Sequence, residues 1–319
     1  MGKKTAGYLL LAVSVIVFNF LLPRMLPGSP VRNLGLDDGG SMTRSEREQI
    51  FAAYDLDKPL PEQFLSYLQS IFTGDLGSSF SKKAPVTAIL GAALPWTILL
   101  SVCSTLLSLV LGSLLGSFSV RLRRKKRDVP LILGVSLLGS FPAFWVGMVF
   151  IALFGVSLGI LPLYGAYSMW AGHTGVGYFL DVVRHMILPV VTLSIGSLML
   201  FFTTSRTGLL SVLNEDYIRL AEVRGIPERR IRFLYQWRNA VIPVFTVLML
   251  HMGFIFSGSV VIEAVFSYPG VGKVMYDAVL ARDYPLMQYS FLLIALTVIA
   301  ANIIADLMYP VLDPRLRKV

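Results

Sequence analysis

The chain has 319 residues, of which 55% are hydrophobic and only 15% are charged. A soluble domain carries about 25% charged residues, so this chain is short of charge. Its mean hydropathy is +0.69 and its net charge is +9. This balance excludes an ordinary soluble enzyme, a disordered chain and a disulfide-stapled secreted domain. The one cysteine, Cys103, has no second cysteine with which to form an intrachain disulfide.

The apolar residues are collected into long charge-free runs. A membrane-spanning helix needs roughly 17–25 mostly apolar residues, so each long run predicts a span. Six runs qualify, at 5–23, 84–120, 129–180, 185–205, 239–262 and 284–305. We draw the second span near 94–119 and the third near 131–155. Residues 156–184 are then an outer loop with room for an interfacial or re-entrant segment.

The first run is interpreted as a retained span, because its apolar part is longer than the roughly 7–15 residues of a signal-peptide core. Basic residues then give the orientation. They are concentrated before the first run, at 121–127, at 209–240 and at the carboxyl end. The positive-inside rule places these segments in the cytoplasm. We therefore predict six spans with both termini in the cytoplasm. No nucleic-acid partner is expected, because the cluster at 121–127 has no domain to present it.

The largest outer segment, 28–93, is predicted to form short amphipathic helices. Thr43 can cap one helix, with Glu46 three residues later, and a second runs from Pro61 to Phe72 and ends at Gly74. The expected organisation is an N-terminal transmembrane helix (1–27), this extracytoplasmic segment (28–93), a five-helix core (94–310) that includes a cytoplasmic loop (209–240), and a cytoplasmic tail (311–319).

The inner segment 209–240 has the pattern of a rigid knob. Glu215 and Asp216 are acidic and favour a helix start. Three apolar residues follow at helical spacing: Tyr217, Leu220 and Ala221. Gly225 ends this helix, and Pro227 begins a second, basic helix that returns to the membrane at Pro243. The simpler interpretation is a solvated topology loop. A glycine turn and an apolar face favour a docking surface for a cytoplasmic partner.

No catalytic constellation is visible, and we predict no catalytic residues and no metal ligands. HExxH and a pair of intramembrane aspartates are absent, and the three histidines are dispersed. The string at 269–274 does not form a phosphate loop, because position 267 is Ser and Val274 replaces the Ser or Thr that would bind magnesium. If the protein works against a gradient, the energy must come from another subunit.

Polar side chains inside spans are costly and mark candidates for a translocation path. The candidates are His251, Ser257, Asn302 and Asp306. The alternative is hydrogen bonding between helices, or for Asp306 an interfacial position near Arg315. Pro142, Gly147 and Pro189 allow kinks or close packing, which transport needs but which packing alone also explains.

The inner segment resembles a known family. YIRLAEVRG (217–225), followed by RNAVIP (238–243), resembles the cytoplasmic "EAA" loop of binding-protein-dependent ABC importer permeases, in the form seen in the peptide/nickel group. Further stretches resemble the B-type permease of that group: LLPRMLPGSPV (21–31), YDLDKPLPEQFLSYL (54–68), GDLGSSF (74–80), LPWTILLS (94–101), SFPAFWVG (140–147), VVIEAVFSYPGVGK (260–273), ARDYPLMQ (281–288) and LDPRLR (312–317). Arg219 and Leu220 depart from the general loop pattern, which has glutamate and alanine there, whereas Ala221 and Gly225 match it.

The resemblance implies an all-α integral membrane protein of the bacterial plasma (inner) membrane, with the six-helix fold of type I ABC importer permeases. It implies four kinds of partner: a homologous second permease, two cytoplasmic ATPase subunits, an extracytoplasmic solute-binding protein and membrane lipid. The chain itself would hold no cofactor, because ATP and magnesium would be bound by the ATPase subunits. A helix at about 214–225 would seat in an ATPase cleft. The implied coupling residues are Asp216, Tyr217, Arg219, Ala221, Gly225 and Ile226.

The leading hypothesis is a permease that forms half of a path for di- or oligopeptides by alternating access, without enzymatic activity of its own. The nearest alternative is a permease for nickel or a metal chelate, which His251 keeps open. A non-transporting membrane scaffold or receptor would explain the knob but not the kink-prone spans. An intramembrane enzyme would need a catalytic pair that the spans do not supply.

Overall fold

A computed structural model describes residues 2–25, 58–123, 126–252 and 255–312. Their regular structure is helical. In chain order the helices are α1 (Gly2–Met25), α2 (Leu60–Thr73), α3 (Val86–Arg123), α4 (Val129–Ser140), α5 (Ala143–Phe150), α6 (Val176–Leu213), α7 (Asp216–Val223), α8 (Glu228–Arg230), α9 (Arg238–Met252), α10 (Ile255–Val265), α11 (Val271–Ala281) and α12 (Tyr284–Leu312). π-Helical turns extend α5 over Ile151–Ser157 and join α8 to α9 over Ile231–Trp237.

The all-helical, multi-span fold predicted from the sequence is confirmed. Five described helices are long and apolar enough to cross a membrane, and there are six such spans if a bent pair of helices is counted as one. The five are Ala6–Met25, Val86–Arg123, Val176–Leu213, Glu228–His251 and Tyr284–Met308. The predicted outer helix at 61–72 is also confirmed, since α2 ends at Thr73 and Gly74 follows with a left-handed φ of 74°. The other predicted outer helix, with Thr43 and Glu46, lies outside the described residues.

The third span is not the single helix predicted at 131–155. It consists of Val129–Ser140 and Ala143–Ser157, which meet at an angle of 93°. Pro142 explains the break, because its ring excludes the helical conformation from the preceding residue. Phe141 is accordingly extended, with φ −82° and ψ 140°. Pro189, in contrast, lies inside the continuous helix α6.

The second and fourth spans belong to longer helices than predicted. α3 begins at Val86 rather than near 94, and Val86 is fully buried. α6 begins at Val176, inside the segment predicted as an outer loop. Asp181 ends the charge-free run 129–180 and lies within α6. Its carboxylate accepts hydrogen bonds from the Ser168 backbone N–H (2.6 Å) and hydroxyl (3.0 Å). The charge therefore holds the loop against the outer end of the helix.

The chain divides into two compact units. Unit 1 contains residues 1–97 and 269–299, and unit 2 contains 98–268 and 300–319. Unit 1 is built around apolar side chains from α1, α2, the start of α3, α11 and α12. Its buried core includes Phe20, Tyr67, Val86, Leu90, Ala93, Val271, Val274, Ala278, Leu286, Met287, Tyr289 and Leu292.

A buried carboxylate ties the loop before α3 to the start of α12 within unit 1. Asp283 is fully buried, and its Oδ2 accepts hydrogen bonds from the Ser79 hydroxyl (2.5 Å), the Ser81 backbone N–H (2.9 Å) and the Ser81 hydroxyl (2.8 Å). Its Oδ1 accepts from the Leu286 N–H at 3.2 Å, which caps the first turn of α12. This contact joins residues about 200 positions apart in the chain and was not predicted from the sequence.

In unit 2, α3 and α6 approach closely at two glycines. A Cβ added at Gly112 would lie 2.7 Å from Phe201 Cβ, and one at Gly116 would lie 2.6 Å from the carbonyl oxygen of Phe202. The spacing is the GxxxG pattern, in which small residues allow two membrane helices to touch through their backbones. This close contact was not predicted from the sequence.

We expect Gly116→Ala to destabilise the protein by roughly 1–3 kcal/mol, the usual range for overpacking. The added methyl group would meet a backbone oxygen, which cannot rotate away as a flexible side chain could. Thermal unfolding in detergent would measure the loss. Gly134→Ala in α4 is the matched control, because nothing lies within 4 Å of its Cβ position. Equal stability of the two variants would contradict the close contact.

An ion pair fixes α4 against α6 in unit 2. Arg206 Nη2 donates to Asp128 Oδ2 at 2.6 Å, and its Nε donates to the Ser119 hydroxyl of α3 at 3.0 Å. The hydrogen bond from Arg206 holds the pKa of the Asp128 carboxyl below its ordinary value. Asp128 therefore stays ionised where α4 begins.

Candidate functional site

The predicted knob is present as α7 and the turn that follows it. α7 begins at Asp216, because Glu215 is extended (φ −74°, ψ 140°) and its carbonyl accepts the N–H of Ile218 at 3.0 Å. Asp216 places a negative charge in the first turn, where it complements the helix dipole.

Gly225 ends α7 in a left-handed conformation, with φ +68°. Its N–H donates to the Glu222 carbonyl (3.0 Å), and the Ile226 N–H donates to the Ala221 carbonyl (3.2 Å). This pair of bonds is the Schellman motif, which glycine favours because it has no Cβ to clash. Pro227 then precedes α8, and its carbonyl accepts the Ile231 N–H at 3.1 Å. The helix, glycine turn and second helix predicted from the sequence are therefore confirmed.

One face of α7 is anchored to the helices around it. Ile218 and Ala221 are nearly fully buried, with exposed fractions of 2% and 3%. They belong to an apolar group that we call the base cluster: Val120, Leu209, Val212, Ile218, Ala221, Ile231 and Ala240. Tyr217 and Ile226 pack against this cluster. The Tyr217 hydroxyl also accepts a hydrogen bond from Asn239 Nδ2 of α9 at 3.0 Å.

The opposite face of α7 presents apolar side chains to solvent. Leu220 is 57% exposed and Val223 is 86% exposed, and the two lie one turn apart. Tyr217, Leu220 and Ala221 fall at helical spacing as predicted, but they divide between two environments, because Ala221 belongs to the base cluster and Leu220 points away from it. Each face is formed by a pair of residues at i, i+3 spacing: residues 218 and 221 face the base cluster, and residues 220 and 223 face solvent. We call the second pair the outer stripe. Asp216 and Arg219 are exposed beside the outer stripe.

A cleft of about 730 Å³ opens beside α7 in unit 2. Its walls include Phe118 of α3, Glu222 of α7, and Phe233 and Trp237 of the π-helical segment. Arg232 in the same wall forms an ion pair with Glu228 at 2.7 Å. The base of the knob is therefore bordered by both apolar and charged groups.

The candidate path residues lie on the later helices. His251 is near the end of α9, where its Nε2 and the Ser197 hydroxyl share a hydrogen bond of 2.7 Å and its ring meets Phe201 edge-on at 5.8 Å. Asn302 and Asp306 lie one turn apart on α12, and both are half-buried. Ser257 belongs to α10, but its side chain lies outside the described residues. Their role in a path stays a prediction.

Within the described ranges, no group of three or more His, Cys, Asp or Glu side chains is arranged to hold a metal ion. His185 of α6 bonds through Nδ1 to the Asp181 carbonyl at 2.8 Å.

We expect Gly225→Pro to disrupt the knob and to abolish transport, while the chain stays in the membrane. Proline fixes φ near −65°, against +68° here, and removes the N–H that bonds to Glu222. Gly225→Ala keeps the N–H and should lose only about 1–2 kcal/mol of local stability. Uptake by membrane vesicles, normalised to the amount of inserted chain, would measure both. Uptake by the proline variant at the wild-type rate would contradict this account.

Two comparisons with known proteins agree on the family. A profile of the family described as "binding-protein-dependent transport system inner membrane component" matches residues 108–318. The glutathione transport system permease protein GsiC of Pectobacterium atrosepticum is 37% identical over 99% of this chain and 97% of its own. The oligopeptide transport system permease protein AppB of Bacillus subtilis is 33% identical over 98% of each chain. The dipeptide transport system permease protein DppB of Escherichia coli K12 is 33% identical over 96% of this chain and 94% of its own.

Solved structures of the MetNI methionine ABC transporter in inward-facing conformations share the fold. In one crystal form the TM-score is 0.57 at 15% identity, and the match covers 70% of this chain and 96% of the other. With the family profile spanning the knob and four of the six spans, the conclusion is direct: this chain belongs to the inner membrane components of binding-protein-dependent transport systems, and it is a multi-pass membrane permease.

Proposed function

We propose that the chain is the permease subunit of an ATP-driven importer of peptides. It would form half of the translocation path, with a homologous permease forming the other half and a solute-binding protein delivering the cargo outside. The names of its relatives support peptides as cargo, since they are permeases for dipeptides, oligopeptides and glutathione, which is itself a tripeptide. Coverage of nearly the whole length of these relatives supports the same conclusion.

The two-faced helix α7 is the observation that carries the coupling part of this proposal. Leu220 and Val223 are apolar and exposed, and exposed apolar side chains next to one another mark a surface that another protein covers. The seat of α7 would be a cleft in a cytoplasmic ATPase subunit. Asp216 and Arg219 would then form the polar edge of that interface, where charged side chains direct association.

The base cluster supports a mechanical role for α7. Motion of α7 would pass to α6 and α9, because Ile218, Ala221 and the Tyr217–Asn239 bond hold the knob against both helices. Alternating access is a change between packed states. A rigid attachment transmits the motion of α7 to the spans, whereas a flexible loop would absorb it. Gly225 and Ile226 would keep the turn closed while the ATPase subunits approach and separate.

ATP and magnesium would be bound by the two ATPase subunits, so that the permease contributes no hydrolytic residue. His251, Ser257, Asn302 and Asp306 would contribute to the path itself. Their polar groups would offer hydrogen bonds to a peptide backbone during passage, which lowers the cost of moving a polar cargo through an apolar span.

Uptake by the reconstituted complex tests the proposal. Proteoliposomes that contain this permease, its partner permease and the ATPase subunits would receive the solute-binding protein and labelled dialanine, glutathione or Ni²⁺. We expect ATP-dependent uptake of a peptide. Accumulation of Ni²⁺ but of neither peptide would favour the alternative metal importer, and uptake that ignores ATP would contradict the ATP-driven mechanism.

A further inference from the structure

Unit 1 contains a polar pocket that has no part in the proposed coupling or path. It has a volume of about 220 Å³, and its lining includes Arg24, Tyr67, Asp75 and Tyr289. Most of unit 1 precedes residue 108, where the match to the family profile begins. Most of the lining, from Arg24 to Phe80, therefore precedes the matched range, whereas Tyr289 lies inside it. The chemistry of the pocket follows from its own residues.

Arg24 is held in a fixed position at this pocket. Its Nε and Nη2 both donate to Gln63 Oε1, at 2.9 and 2.8 Å, and its Nη1 donates to the Phe20 carbonyl at 2.7 Å. The guanidinium lies 3.7 Å from the centre of the Phe20 ring. Gln63 is fixed in turn, because its Nε2 donates to the Lys58 carbonyl at 2.8 Å. This arrangement is preorganised, so binding at Arg24 would lose little side-chain entropy.

The positive charge of Arg24 has unused binding capacity. No carboxylate of the described residues lies within ion-pair distance of it. A guanidinium has five N–H groups, and three are used by Gln63 and Phe20, which leaves one on each terminal nitrogen. Two N–H groups on adjacent nitrogens are the donors that a carboxylate can accept in a bidentate manner.

Tyr67 supplies a second unused donor. Its side chain is only 5% exposed, and its hydroxyl makes no hydrogen bond of full geometry, although the Gln288 side chain lies close enough to lower its pKa. Burial raises the pKa of Tyr67 to about 12, so the hydroxyl keeps its proton at neutral pH. A buried hydroxyl without a partner costs free energy, and a ligand or water oxygen in the pocket would remove that cost.

Asp75 brings the opposite charge to the same pocket. Its Oδ1 accepts a hydrogen bond from the Gly77 N–H at 3.2 Å, and within the described part of the chain it forms no ion pair. Arg24 and Asp75 thus line one small pocket without contacting each other. A ligand that carries both a carboxylate and an ammonium group would satisfy both charges at once.

We propose that this pocket binds a small zwitterion, namely an amino acid or a dipeptide with both termini free. The carboxylate would lie at Arg24 and Tyr67, and the ammonium group at Asp75. The volume is below the roughly 300–1,000 Å³ of pockets for drug-sized ligands, which excludes long peptides. The proposal does not depend on peptide transport, since it rests on the charges of unit 1 alone.

Calorimetric titration of the full chain in lipid nanodiscs with L-alanyl-L-alanine tests this site. We expect saturable binding that Asp75→Asn weakens by about tenfold or more, because the variant keeps the shape and removes the charge. Glu62→Gln is the matched control, since Glu62 is an exposed carboxylate of α2 outside the pocket. It should bind the dipeptide as the wild type does.

Blocked ligands assign each charge. N-acetyl-dialanine, which has no ammonium group, should bind the wild type weakly, and Asp75→Asn should not lower its affinity further. Dialanine amide, which has no carboxylate, should also bind the wild type weakly, and Arg24→Gln should not lower its affinity further. Wild-type affinity in Asp75→Asn would overturn the proposal, and so would equal binding of the blocked ligands. A pocket that ignores dialanine but whose Arg24 is needed for docking of the solute-binding protein would also overturn it, in favour of a protein contact.

Discussion

The double substitution Leu220→Asp, Val223→Asp is expected to abolish ATP-dependent uptake while the chain still folds and inserts. Both side chains point to solvent, so acidic replacements leave the base cluster untouched. In the proposed interface they would place two charges against an apolar cleft. Loss of interface anchors costs on the order of 2 kcal/mol each, so ATPase association should weaken by more than about tenfold.

Two measurements separate uncoupling from misfolding in this variant. Co-purification of the ATPase subunits reports association, and the ratio of peptide uptake to ATP hydrolysis reports coupling. Leu220→Met, Val223→Ile is the matched control, because it keeps both side chains apolar and of similar size. Normal uptake in the acidic variant would mean that the outer face of α7 does not seat in the ATPase.

The largest expected effect on stability is at Asp283. Asp283→Asn keeps the size of the side chain but replaces one carboxylate oxygen by an amide nitrogen, which cannot accept. In either orientation of the amide, its nitrogen faces a hydrogen-bond donor from Ser79, Ser81 or Leu286 instead of accepting from it. Leaving buried groups unsatisfied costs about 1–3 kcal/mol each, so we expect a loss of about 3 kcal/mol in the free energy of unfolding.

Unfolding by sodium dodecyl sulfate titration would measure this loss. Asp277→Asn is the control, because Asp277 forms an ion pair with Lys273 on the surface of α11, with a side chain 37% exposed. Pairs of this kind are worth about 0–1 kcal/mol. If the two variants were equally stable, the carboxylate of Asp283 would not be the tie between the loop before α3 and the start of α12.

The sequence predicted the number and order of the spans because the membrane imposes a length of apolar residues that is visible without any tertiary information. The knob was also predictable, since Gly225 and Pro227 determine the turn locally. The ends of the helices were not predictable in this way. α3 extends back to Val86 because that residue is buried by distant parts of unit 1, and no local signal gives this.

Contacts between distant residues were the main omissions. The bonds of Asp283 and the close approach at Gly112 and Gly116 depend on elements far apart in sequence. The direction of Leu220 was missed for a related reason. Spacing shows which residues share a stripe, whereas the neighbours of α7 decide which stripe is covered. The bend before Pro142 follows a known steric rule, but its angle of 93° depends on packing.

Cross-linking tests the central claim, that the outer face of α7 contacts the ATPase. Cys103 is the only cysteine, so in a Cys103→Ser background a photoreactive label can be placed at Val223→Cys or at Phe72→Cys. Both positions are 86% exposed, but Phe72 lies on the predicted extracytoplasmic helix α2. We expect the label at position 223 to capture a cytoplasmic ATPase subunit and the label at position 72 to capture none. Capture from both positions, or from neither, would contradict the assignment of α7 as the coupling helix.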